Sequence, residues 1–319
     1  MKKIQKSIVI LVLLLLVGCN DKRFMKVEQQ QPFIASVNIL EPSLTFFDEF
    51  GDQLANWSLE KAYTGAILVG VDSVLLFGHQ LTQADLYELS SGQLVRSIDT
   101  GVGVTNAYYD EVSQFIFMTN GKTNELTSYT AKGIFQHKEK LGNYPMSMAA
   151  ANNQLYIVNY KDTILSIVDT KTLELVDEWP ISTSSQGLLI LQEMNELWIG
   201  GHGKGSKPNE TVQVYDLTSG KLKTELVMPL MPVAFSQKND EVAVTSHGSN
   251  AIYVSALDGT PKWQQEVGAN PFAIAYFCDQ LVVAGYDDET LYFLKDHQIQ
   301  KQVKTGKGPF QLLVREDNN

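Results

Sequence analysis

Gly142-Asn143-Tyr144-Pro145-Met146 returns downstream as Gly268-Ala269-Asn270-Pro271-Phe272 and as Gly306-Lys307-Gly308-Pro309-Phe310. A degenerate copy, Met228-Pro229-Leu230-Met231-Pro232-Val233, lies between them, and weaker junctions fall near Thr64, Val104 and Gln186. The steps between these seven anchors are 40, 41, 41, 46, 39 and 38 residues. Near-constant spacing of this kind marks a repeat array, in which each unit buries its apolar face only against its neighbours. Seven anchors predict seven repeats.

Between anchors, alternation and turn chemistry predict four short strands, A to D. The third repeat shows the plan: Met146 to Ala151, a turn at Asn152-Asn153, Gln154 to Asn159, a loop through Asp162, Thr163 to Asp169, and Leu173 to Ile181. The B and C strands recur as Glu196 to Gly201 with Thr211 to Asp216, Glu241 to Ser246 with Ala251 to Ser255, and Gln280 to Gly285 with Glu289 to Leu294. Ser91-Gly92, Lys132-Gly133, Ser219-Gly220 and Asp258-Gly259 supply turns before the D strands, where glycine tolerates positive backbone angles. These features predict an all-β, seven-bladed propeller of four-stranded antiparallel blades. One strand remains after the last anchor and three precede the first, so the seventh blade is expected to combine C-terminal and N-terminal strands and close the ring.

Leu155-Tyr156-Ile157-Val158-Asn159, followed by Thr163 to Thr170 and a terminal Gly-x-x-Pro, resembles the YVTN-type (YncE-like) β-propeller repeat over roughly residues 33–316. The resemblance implies the propeller fold and leaves function open, since such folds host unrelated activities.

The N-terminus has its own signature. Lys2, Lys3 and Lys6 precede an apolar run from Ile8 to Val17, as in an export signal, and Leu16-Val17-Gly18-Cys19 resembles the lipobox of bacterial lipoproteins. That resemblance implies acylation of Cys19 and a membrane-held mature chain, with Asn20 favouring the outer membrane if the cell has two. The expected organisation is a signal peptide over 1–18, lipidated Cys19 and a flexible tether over 19–31, and one propeller over 32–319. Removal of the signal leaves 22 basic against 36 acidic residues, a formal −14. Such charge disfavours nucleic acid as a partner. With Cys19 assigned to lipid, Cys278 stands alone in a turn and no intrachain disulfide forms.

Propeller geometry gathers the B–C loops and the D-to-A junctions on one face. There the candidate ligand-binding residues are Asn143, Tyr144, Tyr160, Lys161, His202, Lys204, His247, Tyr286 and Asp287. His79, His202 and His247 are read as equivalent ends of B strands, which raises a metal site as a weak alternative. The glycine-rich loop Gly200 to Glu210 lacks the Gly-Lys pair and following helix of a phosphate loop, so it reads as a solvated or recognition loop. Asp287, Asp288 and Glu289 offer carboxylates for a cation or a general base. No cofactor is expected, and no nucleophile-elbow, Cys-x-x-Cys or haem motif occurs.

Two functions follow. One is a non-catalytic, membrane-anchored, monomeric module binding a protein, peptide or envelope glycan. The other is a propeller hydrolase or lactonase, with or without a metal, acting through the loop histidines and acids.

Overall fold

The structure, a computed structural model, describes residues 23–228 and 230–316. Among them lie seven four-stranded antiparallel sheets arranged as propeller blades. The innermost strands are Gly65–Val69, Val104–Asp110, Pro145–Ala151, Ser185–Leu191, Pro232–Lys238, Pro271–Phe277 and Pro309–Arg315, heading blades 1 to 7. Blade 4 carries the only added hairpin among the described residues, with Gly203 opposite Pro208 and Lys204 opposite Lys207. It accounts for the 46-residue step.

The middle strands of a blade are covered on both faces by neighbouring blades. They therefore read as unbroken apolar runs: Leu155, Tyr156, Ile157 and Val158 are all buried. Outer strands are polar and exposed, as in Phe135–Lys140, whose charges guard an otherwise open sheet edge. Seven apolar clusters form, one at each interface between adjacent blades. The channel face is thus left free of the burden of stability.

Closure follows the expected pattern. Pro309–Arg315 pairs with Phe33–Asn38, with Ile34 opposite Val314 and Val37 opposite Gln311, and Ser43–Phe47 and Gln53–Ser58 complete blade 7. The tether expected over 19–31 needs correction in its described part. Phe24 stacks on Trp57 with ring centroids 4.6 Å apart, and its N–H donates to the Gly92 carbonyl at 2.9 Å. Val27 is buried and donates to the Leu89 carbonyl at 3.0 Å. Residues 24–31 are therefore docked along blades 7 and 1, because two of the three apolar side chains in this polar stretch, Phe24 and Val27, complete the cluster around Trp57. Cys19 and the signal segment lie outside the described residues.

The repeated junction has two separate physical causes. Its first glycine is a steric requirement: a Cβ on Gly142 would stand 2.7 Å from the Asn159 amide carbon, and one on Gly306 would stand 2.5 Å from the Ser43 hydroxyl. The third position is conformational. Tyr144, Met231, Asn270 and Gly308 adopt φ of +61, +58, +62 and +64°, and each carbonyl accepts the N–H of the residue following the B strand. Gly142→Ala is accordingly expected to lower stability by about 1–3 kcal/mol through overpacking. Denaturant unfolding checks this, and a variant as stable as the parent would contradict the steric assignment.

Candidate functional site

In blades 2 to 7 the residue after the B strand is held by that junction hydrogen bond, so its side chain is aimed consistently. The N–H of Tyr160 donates to the Tyr144 carbonyl at 3.0 Å, His202 to Ser184 at 3.1 Å, His247 to Met231 at 3.1 Å and Tyr286 to Asn270 at 3.2 Å. Four consecutive blades thereby present Tyr160, His202, His247 and Tyr286 at one structural position. Tyr144 joins them from the left-handed position of its own junction, while Phe272 and Phe310 join from the residue after the junction proline.

Together these rings form an arc around one end of the channel. Successive centroids run from His79 to Tyr144 (6.2 Å), Tyr160 (6.4 Å), His202 (6.5 Å), His247 (5.6 Å) and Phe272 (4.2 Å). Phe272 then meets Tyr286 at 5.3 Å and Phe310 at 5.0 Å. All eight residues are half-buried. An aromatic at positive φ is an uncommon backbone state, and at Tyr144 it delivers the ring into this arc.

Polar groups decorate the rim. The Lys161 ammonium lies 4.2 Å from the Tyr144 ring centroid, a cation–π contact. Asn143 is exposed, and its N–H donates to the Asp162 carboxylate at 2.5 Å. Lys204 projects from the blade 4 hairpin beside a cavity of about 360 Å³ that Ser185, Lys207 and Asn209 also line. Asp287 is exposed near His247 and favours that histidine's protonated form. Asn159, by contrast, is buried and donates to the Ile164 carbonyl and the Ser166 hydroxyl, so it braces its loop rather than facing a ligand.

The histidines do not form one cluster. His79 stands one residue beyond the position shared by His202 and His247: Phe77 faces Gly65 as Gly201 faces Ser185 and Ser246 faces Pro232, so Gly78 holds the equivalent position in blade 1. Tyr144 and Tyr160 separate it from the pair. Among the described residues no group of three or more His, Cys, Asp or Glu side chains is placed to hold a metal. The acids at 287–289 also diverge: Asp288 accepts from the Tyr292 hydroxyl, whereas Asp287 faces solvent. Cys278 lies in a turn at the other end of the channel, where desolvation, then Glu316 and Glu49, push its thiol up to about 11.

The Nδ1 atoms of His202 and His247 are buried without hydrogen-bond partners. Desolvation lowers the pKa of both, and in His247 the nearby His202 adds to the shift while Asp287 opposes it. Both imidazoles are neutral at pH 7, so the mouth is an aromatic surface with little charge. A folded pKa below the unfolded value of about 6.5 means that the unfolded chain binds protons first. The contribution is intact above that value and is lost as pH falls towards the folded pKa. Melting temperature is therefore expected to fall as pH drops below about 6.5, with a shallower fall in a His202→Gln, His247→Gln variant. Equal slopes would contradict the assignment.

The sequence reading placed Tyr144, Tyr160, His202, His247 and Tyr286 on this face, and the structure brings all five into the arc. It did not place Phe272 and Phe310 there. Their signal was present as the aromatic after each junction proline, but whether that side chain points to the channel or to a neighbouring blade depends on strand orientation within the ring.

No protein-family model matches the chain, and no curated protein matches it. Among solved structures, a functionally unknown protein from Desulfotomaculum acetoxidans superposes with a TM-score of 0.76 at 12 % identity, covering 90 % of this chain and 99 % of that one. The computationally designed Ika8 protein gives 0.68 at 12 % identity, over 92 % and 90 %. Dihydro-heme d1 dehydrogenase NirN, in complex with DHE, gives 0.67 at 12 % identity, over 91 % of this chain and 66 % of its own. At this identity the likeness establishes the fold alone.

Proposed function

We propose that this chain is a lipid-anchored, extracytoplasmic propeller of the YVTN type that binds a peptide or glycan segment of an envelope partner at its aromatic mouth. The observation that carries the reading is the arc of eight half-buried rings at one end of the channel. Ring faces stack on sugar C–H groups or on apolar peptide side chains at small entropic cost, which is why aromatic side chains recur as binding anchors. Tyrosine hydroxyls, Lys161 and Asn143 supply polar partners at the rim. The export-signal reading of residues 1–18, acylation of Cys19 and Asn20 as an outer-membrane sorting residue in a two-membrane cell belong to the same proposal.

The hydrolase alternative finds less support in the histidine pair. A general-base imidazole is oriented by a hydrogen bond to its second nitrogen. Both buried Nδ1 atoms lack one.

Replacement of Tyr160, Lys161 and Tyr286 together by alanine tests the binding reading. Aromatic anchors of this kind each carry about 2 kcal/mol, roughly a 30-fold change in affinity. Capture of envelope peptides or glycan fragments should be lost while the thermal midpoint is nearly unchanged. Retained capture would remove the mouth from the binding site, and loss of folding would assign these residues to packing. Separately, Cys19→Ala should abolish lipid labelling of the chain; undiminished labelling would exclude the lipobox.

A further inference from the structure

The end of the channel opposite the mouth carries a different surface. The turns joining A to B in blades 1 to 6 and C to D in every blade lie there, and large apolar side chains project from several of them. Phe50 (67 % exposed), Val71 (59 %), Val112 (79 %), Ile134 (49 %) and Met194 (38 %) stand on such turns, and Met25 (60 %) stands on the docked N-terminal segment beside them. On the mouth face, the exposed large apolar side chains among the described residues are Leu40 and Val227. Singly exposed apolar residues need no explanation. Their concentration on one end of the ring does.

The N-terminal segment reaches the same end. Phe24 is bound to the turn carbonyl of Gly92, and Val27 to that of Leu89, at the foot of blade 1. Five residue steps separate Cys19 from Phe24. A chain advances at most about 3.6 Å per residue, so the anchoring atom lies within about 18 Å of the docked Phe24, whatever path the chain takes. A lipid on Cys19 would thus hold this particular end of the propeller at the bilayer surface, at a high effective concentration.

We infer that the turn face bearing Phe50, Val71, Val112, Ile134 and Met194 lies against a lipid bilayer, with the aromatic mouth facing away from it. The inference rests on the lipid-anchor reading of Cys19. The apolar tips enter the interfacial region, where each gains a little by leaving water. Asp48, Glu49, Glu111, Glu193 and Asp279 share these turns. Their charge repels anionic headgroups, so the surface fits zwitterionic lipid better than a strongly anionic one. The mouth is left accessible to partners approaching from the side away from the membrane.

The test uses the full-length acylated protein reconstituted in phosphatidylcholine–phosphatidylethanolamine vesicles containing bromine-labelled acyl chains. In a Cys278→Ser background, Phe50→Cys, Val112→Cys and, on the opposite face, Leu40→Cys are each labelled with a fluorophore. Emission from positions 50 and 112 should be strongly lost, and emission from position 40 should be retained. Co-flotation with vesicles but no quenching at 50 and 112, or equal quenching at all three positions, would overturn the orientation while leaving the anchor intact. Failure to float with vesicles would instead overturn the anchor reading, and the orientation with it.

Discussion

Removal of residues 309–319 is expected to unfold the entire ring rather than to fray one blade. Pro309–Arg315 is the inner strand of blade 7 and pairs along its length with Phe33–Asn38. Leu313 belongs to the cluster between blades 7 and 1, while Leu312 and Val314 pack against the cluster between blades 6 and 7. Leu313 is buried and Leu312 and Val314 are partly buried; at about 1.5–3 kcal/mol for a fully buried aliphatic side chain and less for the other two, their loss is a large fraction of the stability of an ordinary domain. Arg315 adds a latch: its guanidinium donates to the carbonyls of Val71, Gln31 and Glu28 and lies 4.5 Å from the Phe33 ring centroid. It therefore ties blade 7, blade 1 and the N-terminal segment together. Truncation would also expose the Phe33–Asn38 edge, a template for aggregation. The truncated chain should show no cooperative thermal transition; a melt close to that of the parent would mean that six blades hold themselves closed.

The second large effect is expected at Asp85. This carboxylate is fully buried in blade 1, where it accepts from the Lys61 ammonium and the Ser97 hydroxyl, each at 2.5 Å, and from the Tyr63 hydroxyl. Blade 1 lacks the Gly-x-x-Pro junction, and Lys61 and Tyr63 belong to the segment that replaces it. Asp85 pins that segment in place of the recurrent junction peptide. Burial works to raise its pKa, but hydrogen bonds from Lys61, Ser97 and Tyr63 outweigh burial and hold it below the ordinary value. Asp85→Ala is expected to cost about 3 kcal/mol, the upper end for stranding buried hydrogen-bonding groups, because Lys61 is itself 45 % exposed and can return to water while the hydroxyls of Tyr63 and Ser97 lose their acceptor, measured as a shift in the denaturant midpoint at constant slope. The contribution is present above the unfolded pKa of about 3.9 and is lost as pH falls through the folded pKa. The wild-type protein should therefore lose stability below about pH 4 more steeply than the variant. A variant as stable as the parent would show that the segment is held by packing alone.

These two effects fall on features of different legibility. The strand at 309–315 and its N-terminal partners were readable because a closed array must account for every strand, and a lone strand after the last anchor has one place to go. The latch at Asp85 was not readable, because it compensates for an absence: nothing local marks an aspartate in a β run as a substitute for a missing junction. The docking of Phe24 and Val27 was hidden for a related reason. Phe24, Met25 and Val27 in a polar stretch carry no periodicity, and the value of Phe24 and Val27 comes only from the groove beside Trp57.

The candidate site divides along the same line. Tyr160, His202, His247 and Tyr286 could be placed on one face from their position after the B strands, since antiparallel topology alone fixes which loops share an end. Their ring-to-ring continuity could not, because it depends on the curvature of the ring. His79 was misplaced by one residue because the equivalent position in blade 1 is held by Gly78, which has no side chain to mark it.

Imidazole resonances provide the most direct test of the mouth as the binding surface. The chain has five histidines. His79, His202 and His247 belong to the arc, whereas His297 stacks on Trp263 and His137 lies on an exposed outer strand. Solubilised envelope peptides and glycan fragments would be titrated into the protein while the histidine C–H signals are followed by NMR. Ligand at the mouth should shift His202 and His247, with His79 following, and leave His137 and His297 in place. A bound ligand that shifts His137 or His297 and leaves the arc untouched would contradict the assignment of the aromatic mouth.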